Sequence, residues 1–578
     1  MTRISGLRTS LLPVEHLEAE LIAAPLASRA AFEQGLVALD GGLGGSTGAL
    51  WRETEGKLLS RFPGMSIDEL VNRRDQLWFD GIPSTAASKT LLSYLRAVSR
   101  SMLEPGEGPP QIRRPVGGAP LDHLRRGLTD APLEQRGRWR WMTLALPQDL
   151  LLAAIDAPGD HVDFLAPLLR QSLADRGVAE THLHLKAAID FPMLWASLQS
   201  ALGDETASER MLESPGAELD EGRQLGPWLL RCALARLVLG AFLSNASGTT
   251  GFLDNCLRSR VFPGAQRLGG VTAEVMLRRV LEELELGRFL DPSPPLWPLR
   301  RLYASLAGSM GGSGGRRASH GLDQVDQLDP LGWWFPGGAD LTPERRFLRA
   351  AMRYLEDPDG RKDITFARLF WQVERLRVVF YRHIVQRPMT PGLIWFARTY
   401  ARLSSARKPL PLSTFVHSAL HSSAFCLKSL EVRLVPEPSM TELASTIEEI
   451  DVACSHAPDI EVGVVFHFSR TRGPDAERGR PKPWGLSSHD DPGSKKHNPS
   501  GYRFAGYYTK VRAEALALAD LLRTYPRMLE RVRGIDLCTD ELGVPLWVLK
   551  PLVEHVRDAG LRRSEEHTSE LQSHSFIS

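Results

Sequence analysis

The feature that most constrains this chain is a set of four short apolar segments, the later ones separated by helical patterns. They are ETHLHL (Glu180–Leu185), LEVRLV (Leu430–Val435), IEVGVVFHF (Ile460–Phe468) and VRGIDL (Val532–Leu537). Each has the length of a buried strand. Between the second and third, Ser439 and Glu442 have capping-box spacing and open a helix predicted through Ile450. Before the fourth, Val511, Ala515, Leu518 and Leu522 form one apolar helix face. After it, Leu546–Ala559 reads as a helix stopped at Gly560. Strand, helix, strand, helix predicts parallel βα units, so the fold class is α/β.

The rest of the chain reads as helical. Residues 1–175 form a helical N-terminal extension, with apolar clusters at Leu92–Met102 and Leu150–Leu173. The first strand occupies 176–190, a mainly helical insertion 191–426, and the remaining strands 427–562. Pro227–Leu243 is the most apolar helix. It is too short to span a bilayer comfortably and carries Arg231 and Arg236, so it reads as a buried helix with Pro227 in its first turn. Gly308–Gly321 has linker composition and is expected to be disordered. The formal net charge of +1 gives no bulk attraction to nucleic acid or membrane. Five cysteines, none in a CxxC pair, and an N-terminus with no long apolar stretch predict a reducing, cytoplasmic setting.

His182 and His184 carry the candidate chemistry. On a strand, residues i and i+2 point to one face, so the two imidazoles converge. Two such imidazoles make a natural pair of Zn2+ ligands. Taken alone, an HxH is also explained by two satisfied or exposed histidines. Its position at the end of an apolar strand followed by βα units favours a site, because such sites form at the C-terminal ends of strands. Other features have plainer readings. His417 and His421 share a helix face and read as packing or surface groups. Trp333 and Trp334 read as core or interface, Cys538 as a packed thiol, and Gly479–Lys482 (GRPK) as a solvated loop.

The ordered motifs resemble the adenosine deaminase family of zinc-dependent amidohydrolases. ETHLHL is similar to that family's first-strand HxH, LEVRLVP (Leu430–Pro436) to its second strand, and GIDLCTDE (Gly534–Glu541) to its fourth-strand signature. The resemblance covers roughly Gly177–Ala188 and Leu427–Arg562. It implies an incomplete (βα)8 TIM-type barrel, about four of eight strands, with a large helical extension and insertions. It implies Zn2+ on His182 and His184, and Lys186, Asp536, Thr539 and Asp540 near the substrate. The implied reaction is hydrolytic deamination of adenosine or an adenine nucleotide. Two positions depart from the pattern. Lys186 stands where the family usually has Asp, and Thr539 where it usually has Gly, which puts the substrate in question.

His182 and Asp536 are 354 positions apart, whereas three barrel units need about 90, so roughly 250 residues are inserted. The long extension, the insertions and the turn Asp540–Trp547 resemble the large deaminase subunit of RADAR antiphage defence systems. That implies a homo-oligomeric shell with a partner ATPase. The family's HAGE motif, with its third zinc-binding His and proton-carrying Glu, and its later zinc-binding Asp are missing. Ser488–Pro492 (SHDDP) looks like the family's final Asp-Asp-Pro but falls between the third and fourth strands, so it reads as loop. Arg563–His574 reads as translated sequencing adapter, and 563–578 is set aside from fold reasoning. The fragment is therefore expected to be inactive. Two other readings stay open: an amidohydrolase acting on another C–N bond, and a non-catalytic shell or scaffold with a vestigial barrel.

Overall fold

The structure is a computed structural model. It describes residues 22–27, parts of 52–79, 90–104, 109–112, parts of 139–162, 167–187, 191–202, 218–219, 223–244, 267–268, 271–311, 329–335, 342–385, 410–422, 426–469, 505–538 and 546–561. The chain divides into two compact units: Met1–Leu165 with Phe191–Pro409, and Ala166–Asp190 with Leu410–Ser578.

The first unit is dominated by helices. Those that matter here are α1 (Gln148–Ala154), α2 (Leu225–Ser244), α3 (Ala273–Leu286), α4 (Pro343–Glu356) and α5 (Ile364–Val385). Helix α2 has Pro227 in its first turn, as the sequence predicts. It is long and apolar enough to cross a membrane, yet 94% of its apolar window is buried within the protein. It is a core helix, and its arginines explain how it can be. Arg231 donates to Glu283 of α3 at 2.6 Å and to the Pro227 and Pro294 carbonyls at 3.1 Å. Arg236 forks onto Asp329 at 2.8 and 2.6 Å and reaches Glu344 of α4 at 2.7 Å. A buried charge is tolerated only when paired this way. Gly240 lets the helix pack closely: a Cβ there would stand 2.4 Å from Leu331. One expectation fails. The helix Leu296–Gly311 runs through the first residues of the Gly/Ser stretch, so 308–311 are helical; the remainder, through Gly321, lies outside the described residues.

The second unit holds a four-stranded sheet: β1 (Val178–His184), β2 (Leu427–Leu434), β3 (Glu461–Ser469) and β4 (Val532–Cys538). The spatial order is β4-β3-β2-β1 and every pairing is parallel. The α/β expectation therefore holds. In β3, Val462 through Phe468 are all buried, as befits a strand covered on both faces. In β1, Ala179 through His182 are exposed, as befits an edge. Gly177 (φ +75°) turns the chain from the helix Pro167–Arg176 into β1; only glycine fits, since a Cβ would meet the Lys428 side chain at 2.2 Å.

Four helices accompany the sheet: α6 (Leu412–Ser422), α7 (Met440–Cys454), α8 (Ala505–Thr524) and α9 (Leu546–Arg557). The predicted face of α8 is buried at all four positions, Val511, Ala515, Leu518 and Leu522. Helix α9 ends before Gly560, which has φ +119°. Helix α7 extends four residues past its expected end, because Ala453 and Cys454 are still buried. Its cap is Ser439, whose Oγ accepts from the Glu442 N–H at 3.5 Å. That bond is long, so Ser439→Ala should cost about 0.5 kcal/mol, the low end for a lost cap. Denaturant titration checks this; a loss above about 2 kcal/mol would mean Ser439 does more than cap.

Candidate functional site

The parallel sheet places one polar face at the C-terminal ends of its strands. His182 and His184 stand at the end of β1 with ring centroids 5.2 Å apart. In register, His184 pairs with Arg433 of β2, and Arg433 with Val465 of β3. His467 is two residues beyond Val465, hence on the same face, and it pairs with Asp536 of β4. The His467 ring lies 5.2 Å from that of His184. His182, His184, Arg433, His467 and Asp536 thus share one face of four consecutive strands.

Charge is balanced locally. Arg433 is buried and ion-paired with Asp536; its Nη2 also donates to Glu431 at 3.0 Å and to the Thr181 carbonyl at 3.4 Å. The Leu537 N–H donates to Asp536 Oδ1 at 2.7 Å. The Glu180 carboxylate accepts from the His182 backbone N–H at 3.0 Å.

The two inner imidazoles are held neutral. Burial lowers the pKa of His184, helped by His182 and Arg433 and opposed by Asp536. Burial pushes His467 down to about 4, helped by His184, Arg433 and His182 and again opposed by Asp536. A neutral imidazole keeps the lone pair that a metal or a hydrogen-bond donor needs. His467 Nδ1 is buried and has no hydrogen-bond partner among the described residues. The donors suit a divalent cation in kind, being neutral nitrogens with an orphaned polar atom beside them. Their arrangement is looser: among the described residues, no three His, Cys, Asp or Glu side chains are gathered tightly enough to hold an ion as they stand.

The other expected site residues are placed unevenly. Lys186 is exposed in a short 3₁₀ turn directly after β1. Asp536 is half-buried and committed to Arg433. Thr539 and Asp540 lie outside the described residues, as do GRPK and SHDDP. Cys538 ends β4. His417 is buried in α6 with its ring 5.3 Å from that of His456, a packing role. Trp334 is half-buried beside Gly240.

Arg433 and His467 were not singled out from the sequence. The available signal was a lone polar residue, His467, in the apolar run Val462–Phe468; Arg433 shares its strand with Lys428, Ser429 and Glu431. A cleft of about 480 Å³ at the other end of the sheet is lined by Asp451, Glu461, Arg527, Arg531 and Arg533 among others. Arg531 pairs with Asp451 at 2.6 Å and Arg533 with Glu461 at 2.7 Å. These charges satisfy one another at the N-terminal ends of the strands, the end that serves stability in βα folds. No known family model and no curated protein matches the chain.

Proposed function

We propose that the second unit is the first half of a TIM-type barrel of the adenosine deaminase kind, and that His182 and His184 are ligands for Zn2+. The observation that carries this reading is the pair of adjacent imidazoles at the C-terminal end of β1, in a parallel sheet whose spatial order follows the sequence. The longer protein to which such a half-barrel belongs would deaminate an adenine nucleoside or nucleotide in the cytoplasm. An oligomeric shell working with an ATPase partner is the assembly this reading carries with it.

Zinc held there would supply Lewis acidity toward a water molecule. The protein's own residues have separate tasks. His182 and His184 would present ring nitrogens to the ion. Arg433 and Asp536 lock each other across the floor of the site, so neither is free to capture the ion or repel it. Lys186, exposed at the rim, is placed to meet an anionic group such as a nucleotide phosphate.

The 578 residues contain no HAGE motif. The chain should therefore bind Zn2+ yet form no inosine or ITP above background from adenosine or ATP. Zinc binding should be lost in the His182→Ala/His184→Ala double variant, measured by chelator competition. Unchanged zinc binding in that variant would end the metal-site reading. Measurable deamination abolished by His182→Ala would show that the proton-carrying group lies within this chain.

A further inference from the structure

We propose that His467 is a third protein donor of the divalent-cation site, supplied by β3 to the pair on β1. The inference rests on the zinc-site reading and adds a residue to it. His467 is 8% exposed, sits on the same sheet face as His182 and His184, and has its ring 5.2 Å from that of His184. Its Nδ1 is buried with no partner among the described residues. A buried polar atom without a partner calls for a missing one. A plain core position in the strand run Val462–Phe468 would be filled by another apolar side chain at no such cost.

The neighbouring polar groups are already engaged. Asp536 and Glu431 hold Arg433, and the Glu180 carboxylate accepts from the His182 backbone. The three imidazoles remain, and within these 578 residues they and one solvent molecule would make a four-coordinate zinc site. The His184 ring lies 5.2 Å from each of the other two, and as they stand the three are not gathered tightly enough to hold an ion. His182 is exposed, so its ring can turn toward the other two without displacing core atoms. Binding should therefore move His182 most and His467 least.

The test uses the full 578-residue chain, stripped of metal, then titrated with Zn2+ against a chromophoric chelator and with Co2+ followed by visible absorption. His467→Ala should weaken Zn2+ binding at least about tenfold, comparable to His184→Ala, since even groups that only support a ligand are worth roughly that much. The Co2+ spectrum of the wild type should be that of a four-coordinate site and should change in His467→Ala. Circular dichroism checks folding; if the alanine variant is unfolded, His467→Gln, of similar size, is read in its place.

If His182→Ala and His184→Ala weaken binding while the His467 variant keeps wild-type affinity and spectrum, His467 is not a donor and the pair stands alone. If the wild type binds neither metal, or no histidine variant changes the affinity, the zinc-site reading itself fails and this inference falls with it.

Discussion

Arg236→Met should cost the first unit about 3–5 kcal/mol, the range for breaking a buried ion pair by removing one partner. Arg236 is fully buried, and its guanidinium satisfies Asp329 through two bonds and Glu344 through a third. Burial alone would lower the pKa of Arg236, but Asp329 and Glu344 more than offset this and raise it. With methionine there, two carboxylates would remain in a dry core. Glu344 would keep a distant contact with Arg377 at 3.4 Å, and Asp329 would keep the Leu331 N–H, which donates to it at 3.0 Å. Arg236→Lys should recover only part of the loss, because an ammonium cannot fork across both oxygens of Asp329. Arg353→Ala is the control. Its bridge to Asp156, 2.9 Å long, joins two exposed side chains and should be worth about 1 kcal/mol or less. A typical domain has about 5–15 kcal/mol in total, so the first variant should lose most of its resistance to urea and the control almost none. Equal denaturation midpoints for Arg236→Met and wild type would mean that the ion network does not hold this unit together.

That network marks where sequence reading stops. Pro227–Leu243 is legible as a buried helix from its apolar run and its first-turn proline, although the helix, Leu225–Ser244, is longer than the sequence suggests. The partners of Arg236 are not, because Asp329 and Glu344 lie 93 and 108 positions away and nothing periodic ties them to it. The strands were legible for the opposite reason. Each is a short apolar run, and the intervening helical faces, such as Val511 to Leu522, force parallel crossovers. The Gly/Ser stretch misled because composition is a local prior, and the helix Leu296–Gly311 overrides it for its last turn.

The site divides along the same line. His182 and His184 are visible in the sequence because a period of two puts both on one face. His467 is not, since one histidine among Val464, Val465, Phe466 and Phe468 reads as a core residue. Only the register, passing from His184 through Arg433 and Val465, brings it to the pair. Asp536 is visible as a motif residue, whereas its engagement with Arg433, across the intervening β3, needs the sheet.

The first unit should also lose stability as pH rises between about 4.5 and about 8, and one carboxyl accounts for the direction. Glu374 of α5 is fully buried. Arg377 donates to one of its oxygens at 3.3 Å, and the other has no hydrogen-bond partner among the described residues. The charged groups that act on it are Arg377 on its own helix, Glu344 on α4 and Asp149 on α1. Arg377 already serves Asp149 and Glu344, and Arg236 serves Asp329 and Glu344. Glu374 is the fourth acid of a cluster whose guanidiniums are largely spent. Burial pushes its pKa from 4.5 up to about 8; Arg377 opposes this, while Glu344 and Asp149 add to it. In the folded unit the carboxyl therefore keeps its proton at neutral pH, and in the unfolded chain it does not. Between those two values the unfolded state binds fewer protons, so unfolding becomes easier with each step in pH, by roughly 1 kcal/mol per unit for one proton. Below about 4.5 and above about 8 this group contributes no further slope. Glu374→Gln keeps the shape and cannot ionise. Urea midpoints at pH 5, 6.5 and 8 should fall for the wild type relative to the variant, with the gap widest at pH 8. Parallel trends in the two proteins would mean that Glu374 ionises alike in folded and unfolded chains, and that the arginines around it have charge to spare.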